Sequence, residues 1–454
     1  MRLLRCSAVF VLLAIAFAKD GSTPLLDAVW NDDVSRALAL IREGADVKAA
    51  NRYGMTPLSL ACTNGNAELV KALLKAGADP NTAIAGGETV LMTAARTGNA
   101  EVVKALLVAG ANVNAKESLR GQTALMWAAA EGHAKVVETL LEFGADQRAH
   151  LESGFTPFLF AAREGKSDVV RTFLKAGADI NQTIQHADGY KRTGGVPLPG
   201  TSALHLAVGN AHYELATMLL EAGANPNAAD NGWTALHVIT GVRKPGLGDN
   251  NPAPLGSGKM TSIEMVRKLK EHGANLNARM TRQINVGLTR INTKGATPFF
   301  LACRSADADL MRELARLGAD PLIPNADNST PLMAAAGLGT RSPGEDAGTE
   351  SEVVEAIQVA LELGNNIDAV DDNGETAMHS AAYKNLPGAV EILAKKGARI
   401  DIWNKNNRFG WTPLRIAEGY RFGNYKPSVV TVAAIRKVLK DAGVEPAEST
   451  GGNR

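Results

Sequence analysis

Apolar residues recur along the chain in short stripes at helical spacing, and polar segments of about a dozen residues separate them. In one such unit the stripe is Val136, Val137, Leu140 and Leu141, at positions i, i+1, i+4 and i+5, which predicts a helix with one buried face. A shorter apolar segment comes before it and ends at Gly132. The pattern therefore predicts a pair of short helices followed by a polar turn.

This unit occurs eleven times. Each copy begins with a Thr-Pro-Leu-like tetrapeptide whose first residue is Thr23, Thr56, Thr89, Thr123, Thr156, Ser202, Thr234, Thr297, Thr330, Thr376 or Thr412. A hydroxyl at this position can cap a helix, and a proline after it fits the first helical turn. Two residues before the cap stands a glycine in ten copies and Asn328 in the other. These are the residues that best adopt positive φ, so we expect one turn geometry throughout.

The repeated unit resembles the ankyrin repeat, which has a period of 33 residues and the signature T-P-L-H-x-A. The resemblance covers roughly residues 20–445 and implies an all-α ankyrin-repeat solenoid, with helix pairs and β-turn fingers. It also implies that His205, His237 and His379 brace the turns. We expect a repeat domain of about eleven repeats over residues 19–446 and a disordered tail over 447–454.

The first 18 residues differ from the repeats. Arg2 and Arg5 precede an apolar run over residues 8–17, which ends in the small-x-small sequence Ala16-Phe17-Ala18. This pattern is typical of a secretory signal peptide, so we expect export to the periplasm or the medium, with no membrane insertion after cleavage. Cleavage would leave 46 basic and 47 acidic residues of the 48 and 47 in the whole chain, a balance that does not favour nucleic acid as a partner.

Insertions interrupt the period near residues 183–199, 241–260, 279–294, 338–350 and 420–428. Some lie in fingers and others between the two helices of a repeat, which predicts positions on two different edges. One finger insertion contains His186, Tyr190, Lys191 and Arg192. The other contains Arg279, Arg282, Arg290 and Lys294, has no acidic residue, and alternates enough to suggest a β-hairpin. Two interpretations remain open: ordinary solvated loops, or a basic rim that contacts a partner.

Residues 253–261 partly match a phosphate-binding loop. Gly258 and Lys259 fit, but Ala253 replaces the first glycine and Met260 the hydroxyl residue. No buried strand precedes the segment, and the sequence from Thr261 to Glu264 reads as a capping box for the next helix. We interpret the segment as a surface loop.

The ankyrin resemblance places binding on the finger tips and on the exposed concave face of the first helices. Counting from each cap, that face includes Trp30, Arg96, Trp127, Glu131, Phe160, Arg163, Glu164, Arg304, Tyr383 and Lys384, while Trp233 and Trp411 lie beside finger glycines. Tyr, Trp and Arg are common hot-spot residues. An alternative for Trp127 and Phe160 is packing between neighbouring repeats.

The sequence offers no catalytic or metal-binding motif, so we expect no enzyme activity, cofactor or metal. Cys62 and Cys303 occupy equivalent core positions and are predicted to be free, buried thiols. The leading hypothesis is an exported, monomeric scaffold that binds another protein. The alternatives are an extracellular or periplasmic enzyme subunit, and a small-ligand or polysaccharide binder that uses the insertions.

Overall fold

The computed structural model describes residues 21–190, 197–245, 253–285, 289–423 and 426–451, and these residues form helices and turns without an extended strand. The first helices of the repeats are α1 (Pro24–Trp30), α3 (Pro57–Asn64), α5 (Val90–Thr97), α7 (Ala124–Glu131), α9 (Pro157–Arg163), α11 (Ala203–Gly209), α13 (Ala235–Arg243), α15 (Pro298–Arg304), α17 (Pro331–Ala336), α19 (Ala377–Lys384) and α22 (Pro413–Ala417). The second helices are α2 (Val34–Arg42), α4 (Ala67–Lys75), α6 (Ala100–Val108), α8 (Ala134–Glu142), α10 (Ser167–Lys175), α12 (Tyr213–Glu221), α14 (Ser262–Glu271), α16 (Ala308–Arg316), α18 (Glu350–Glu362), α20 (Pro387–Lys395) and α23 (Val429–Asp441). One further turn of helix, α21 (Ile400–Trp403), lies between α20 and α22.

The chain divides into two compact units. Unit 1 is Met1–Leu206 and unit 2 is Ala207–Arg454. Within each unit, first helices pack against the first helices of neighbouring repeats, and second helices pack in a parallel row behind them. Each repeat thus buries its apolar stripe against its neighbours, as a solenoid requires.

Local sequence explains the helix ends. Thr23, Thr56, Thr123 and other residues at this repeat position are N-caps whose hydroxyls accept a backbone N–H from the first turn. The residue two positions before the cap has positive φ in all eleven repeats, including Asn328 at 57°. The all-α ankyrin solenoid predicted from the repeated pattern is confirmed.

The core follows the predicted stripes. Val136, Val137 and Leu140 of α8 are fully buried, and Leu141 is half-buried. Cys62 and Cys303 are buried and free, as predicted.

Asparagine side chains link successive fingers. In unit 1, Asn81 donates to Gly110 O at 3.2 Å and accepts from Asn112 N at 2.8 Å. Asn227 forms the corresponding pair of bonds in unit 2, to Gly273 O at 2.9 Å and from Asn275 N at 2.7 Å. In each pair, the amide N–H of the asparagine satisfies the carbonyl of a glycine at the end of a neighbouring helix, and its oxygen satisfies a backbone N–H of the next finger, so the two bonds fix the spacing of the fingers.

The described part of the C-terminal segment, for which a disordered tail over 447–454 was expected, forms hydrogen bonds to an earlier finger. Asn404 and Asn406 donate to Glu445 O and Glu448 O at 3.0 and 2.9 Å, and Gly451 N donates to Gly410 O at 2.8 Å. The tail thus bonds to the finger that joins the tenth and eleventh repeats.

Candidate functional site

Buried histidines fix the base of several fingers. In His379, Nδ1 accepts from the cap residue Thr376 N at 3.2 Å, which leaves Nε2–H to donate to Lys405 O in the next finger at 3.1 Å. His237 makes the same two bonds, to Thr234 and to Ala296 O. Burial lowers the pKa of His379 to about 4, so its ring is neutral at physiological pH. The bracing role that the resemblance implied is present at these positions.

On the first-helix face of unit 1, arginines lie over aromatic rings. The Arg96 guanidinium lies 4.9 Å from the ring of Trp127 and 3.3 Å from the carboxylate of Glu88. Trp127 is half-buried, and its Nε1 has no hydrogen-bond partner among the described residues. Glu131, one turn further along α7, is exposed. These predicted residues form one continuous patch of mixed charge.

A second cluster of the same kind follows in the fifth repeat. Arg163 lies 4.9 Å from the rings of both Phe155 and Phe160 and pairs with Glu164 at 2.8 Å. Phe160 is buried, with 7% of its surface exposed, which agrees with the alternative that it packs between repeats, and its ring contacts Arg163.

The finger insertion over residues 279–294, which we call the basic finger, lies in unit 2. It is held together mainly by hydrogen bonds of its side chains. Thr293 Oγ1 accepts from Ile284 N at 2.8 Å, and Gln283 Oε1 accepts from Thr293 N at 2.8 Å. In the described part of this finger, backbone pairing is limited to the base, where Met280 N donates to Ala296 O at 2.9 Å and Met280 O accepts from Gly295 N at 2.8 Å, so the expected β-hairpin does not extend along the finger. Instead Thr289 pairs with Thr340, in the insertion of the ninth repeat. Insertions expected on two edges therefore meet.

The four cations of this finger are exposed but differ in their surroundings. Arg279 donates to Pro324 O at 2.9 Å, and the Arg282 stem packs over Gly232, next to half-buried Trp233. Lys294 extends from the finger near its base, and Arg290 reaches an aromatic cluster further along. Of these four cations, Arg290 lines a pocket formed by described residues.

Arg304 and Lys384 are not on an exposed face, contrary to prediction. They are 8% and 3% exposed, because the ninth-repeat insertion folds over α15 and α19 and places Asp346 between the two cations. Lys384 also donates to Ala347 O. Their charges hold the insertion in place and are not available to a partner.

Trp411 and Tyr383 are also buried, contrary to prediction. Trp411 is 2% exposed because the rings of Phe409 and Phe422 pack on it, with centroids 5.2 and 5.1 Å away. Tyr383 is 4% exposed, and its hydroxyl donates to Glu375 Oε1 at 2.9 Å. Trp411 is thus part of the core, whereas Tyr383 forms the wall of a cavity.

This cavity, which we call the insertion pocket, has a volume of about 100 Å³ and lies entirely in unit 2. The finger and ninth-repeat insertions form one side, through Arg290 and Thr340, and Phe422 comes from the eleventh-repeat insertion. Asp327, Glu375 and Arg408 come from three successive fingers. Insertions that are separate in sequence therefore converge on one place.

Glu375 is the most unusual group in the pocket. It is 5% exposed, and its Oε1 accepts from Tyr383 and from Asn407 Nδ2, each at 2.9 Å. Its Oε2 has no partner among the described residues. Burial, reinforced by the neighbouring Asp371, raises the pKa of Glu375 to about 8.

The segment that resembles a phosphate-binding loop surrounds a carboxylate. Glu214 Oε1 accepts from Lys259 N at 2.5 Å and from Met260 N at 2.9 Å. These backbone N–H groups lower the pKa of Glu214, against the opposing effect of its partial desolvation. Thr261 and Glu264 form the predicted capping box of α14. The two N–H groups that a phosphate would need are thus already bonded.

Two predicted binding residues, Lys191 and Arg192, lie outside the described residues. Near them, His186 packs edge-on against Tyr190 at 4.9 Å and hydrogen-bonds Pro197 O. Among the residues that the structure describes, no cluster of three His, Cys, Asp or Glu side chains could hold a metal ion. The described helices also include none that is long and apolar enough to cross a membrane.

Comparison with known proteins identifies the family. The profile for "Ankyrin repeats (3 copies)" matches residues 5–84, 25–117, 91–184 and 347–426, and that for a single "Ankyrin repeat" matches 200–231. Since these matches cover more than half of the chain, the protein belongs to the ankyrin repeat family. Ankyrin repeats are protein-interaction modules, which makes the chain a protein-binding scaffold in broad class.

Individual relatives share only part of their length with this chain. It is 33% identical over 136 residues to the mouse "B-cell lymphoma 3 protein homolog", covering 30% of this chain and 24% of that protein. It is 28% identical over 218 residues to the "Ankyrin repeat domain-containing protein SAT10" of Stachybotrys chartarum, covering 44% and 10%. It is 29% identical over 216 residues to "Neurogenic locus notch homolog protein 1" of Danio rerio, covering 47% and 6%. The chain thus spans less than a quarter of the length of each.

Proposed function

We propose that the protein is an exported, non-enzymatic scaffold that recognises another protein through its finger tips and first-helix face. The observation that carries this proposal is the Arg–aromatic patch of unit 1. Arg96 and Trp127 are stacked, half-buried and adjacent to an exposed acid, Glu131. A guanidinium on an indole presents a rigid contact surface that loses little side-chain entropy on binding.

Two further observations support a binding role for the patch. The Nε1–H of half-buried Trp127 has no hydrogen-bond partner in the part of the chain that the structure describes, and a buried indole N–H normally finds a partner. Arg163, with Phe155, repeats the arrangement in the fifth repeat. The patch therefore extends over neighbouring repeats along the row of first helices, where the partner would bind.

The experiment compares two single-site variants within one repeat. The partner is first isolated from native periplasm or medium, purified, and tested for binding to the full mature chain by surface plasmon resonance. Trp127→Ala should weaken binding at least tenfold, the loss of one hot spot. Lys135→Ala, on the exposed side of α8, should change it less than twofold. Equal effects of the two variants would contradict the proposal.

Export is proposed from the sequence of the first 18 residues, which lie outside the described part of the chain. The positive residues Arg2 and Arg5, the apolar run and the Ala16-Phe17-Ala18 sequence support it. The mature chain should then begin at Lys19. Intact-mass measurement of protein from its native host tests this, and a mature chain that retains Met1 would contradict it.

A further inference from the structure

The insertion pocket combines two guanidinium groups with a buried carboxyl group. Among the described residues, the guanidinium groups have no hydrogen-bond partner, and neither has one oxygen of the carboxyl group. We propose that the insertion pocket is a binding site for a carboxylate group, carried by a small organic acid or by an acidic side chain of a partner protein. The proposal concerns unit 2 and does not depend on the role of the Arg–aromatic patch in unit 1.

The two cations at the pocket are arranged to receive an anion. Arg290 lies 3.8 Å from the ring centroid of Phe422, and Arg408 lies 4.7 Å from that of Phe409. The two rings pack edge to face with centroids 5.0 Å apart, so they bring the guanidinium groups to one place. A stacked guanidinium uses its face and leaves its in-plane N–H groups free, and these match a carboxylate.

Neither guanidinium has another partner in the described part of the chain. Their backbone N–H groups fix the main chain, since Arg290 N donates to Gly339 O at 2.9 Å and Arg408 N donates to Asn373 O at 2.8 Å. Their side chains, by contrast, form no ion pair or hydrogen bond among the described residues. The pocket therefore offers two positioned cations, of which Arg408 also interacts electrostatically with Glu375 and opposes part of the rise in the pKa of that group.

Glu375 supplies a third donor. Tyr383 and Asn407 both donate to Oε1, so a proton on the carboxyl group resides on Oε2, the atom without a partner. Because burial raises the pKa of Glu375 to about 8, the group carries that proton at neutral pH. The O–H can then donate to an anion in the pocket, as protonated buried acids do in other sites.

The nearby acids do not reverse this preference. Asp327 lines the pocket, but its Oδ1 accepts from Asn292 Nδ2 at 2.7 Å. Asp371, beside Glu375, accepts from Ser329 Oγ at 2.7 Å and from the backbone N–H groups of residues 373 and 375. The carboxylates of Asp327 and Asp371 are thus hydrogen-bonded within the fold, whereas the guanidinium N–H groups of the two arginines have no hydrogen-bond partner among the described residues. A cationic ligand would be repelled by both arginines.

The size of the pocket limits the ligand. A volume of about 100 Å³ accommodates one short acidic side chain or a compact organic acid, and not a larger ligand. The pocket accordingly recognises a single carboxylate with a short stem.

Isothermal titration calorimetry on the full mature chain tests the proposal with two probes at pH 6.5 and 9.5. One probe is glutarate, and the other is an acetylated, amidated hexaglutamate peptide, with hexaglutamine as the uncharged control. At least one acidic probe should bind at pH 6.5 and bind at least tenfold more weakly at pH 9.5, where Glu375 is ionised. Binding of glutarate indicates a free acid as ligand, and binding of the peptide alone indicates a partner's side chain.

Three variants separate specific binding from general charge. Arg290→Gln and Arg408→Gln should each weaken binding at least fivefold. Lys294→Gln removes the same charge from the same finger away from the pocket and should change affinity less than twofold. Glu375→Gln keeps an oxygen that accepts from Tyr383 and Asn407 and places an NH₂ donor where Oε2 lies in the wild type. Binding should therefore persist at pH 6.5, and the affinity should no longer fall at pH 9.5.

Four results would overturn the proposal. They are no binding of either acidic probe to the wild type, equal binding of hexaglutamine, an equal effect of the Lys294 variant, or an unchanged loss of affinity at pH 9.5 in Glu375→Gln. None of these results bears on Trp127, so the proposed protein-binding role of unit 1 would stand or fall separately.

Discussion

Replacing Glu375 with glutamine should stabilise α19 at alkaline pH. In the folded chain the pKa of this carboxyl is about 8, against an ordinary value of 4.5. Between these values the folded state holds a proton that the unfolded state has lost, so stability falls as pH rises. Between pH 6 and 9 the two pKa values give a loss of about 2–3 kcal/mol. The glutamine variant does not titrate and should not show this loss.

Hydrogen exchange measures this effect close to the group. The opening free energy of α19 would be obtained by mass spectrometry at pH 6, 7.5 and 9, with exchange rates corrected for their intrinsic pH dependence. The opening free energy of α19 in the variant, minus that in the wild type, should rise by about 2–3 kcal/mol from pH 6 to pH 9. Helix α8, in unit 1, serves as an internal control and should show no difference. A constant difference across the pH range would refute the assignment of a raised pKa to Glu375.

Three further changes test the packing and the interpretation of the loops. Leu269→Ala should cost roughly 2–5 kcal/mol in urea denaturation, because Leu269 is fully buried in α14 and its removal leaves a cavity; a cost below 1 kcal/mol would contradict this packing. Asp346→Asn should cost about 3–5 kcal/mol by leaving Arg304 and Lys384 buried without their anion, and an unchanged denaturation midpoint would show that the pair is not needed. Lys259→Ala should leave the melting temperature unchanged, and saturable ATP binding by the wild type that this variant loses would contradict the surface-loop interpretation.

The fold could be predicted from sequence because its signals are local and repeated. A cap hydroxyl, a proline after it and a residue suited to positive φ two positions before it specify each turn independently. Eleven copies allow one irregular position, such as Asn328, to be recognised from the others. The helices of the structure begin at these caps.

The site was predicted only in part because its exposure depends on the insertions. Counting positions from the cap assumes that equivalent positions are exposed in every first helix. This assumption holds for Arg96. It fails for Arg304 and Lys384, because the ninth-repeat insertion covers them and supplies Asp346. Where an insertion folds depends on long-range contacts that a repeat pattern does not contain.

One usable signal was present in the sequence and was missed. In two repeats the residue just before the cap contacts the residue eight positions further along the chain: Glu88 contacts Arg96, and Glu375 contacts Tyr383. Both positions therefore lie on the first-helix face, and an acid at the first of them could have been recognised as a candidate. The convergence of Arg290 and Phe422 had no such signal, because these residues come from different insertions.

Site-specific photo-crosslinking tests the central claim, partner recognition on the first-helix face, most directly. A photoreactive phenylalanine analogue would be placed at Trp127 in one chain and at Lys135, in the second helix of the same repeat, in another. Each would be irradiated with the purified partner. Recognition on the first-helix face predicts a crosslinked product from position 127 and none from position 135. A product from position 135 alone would place the partner on the second helices and contradict the account.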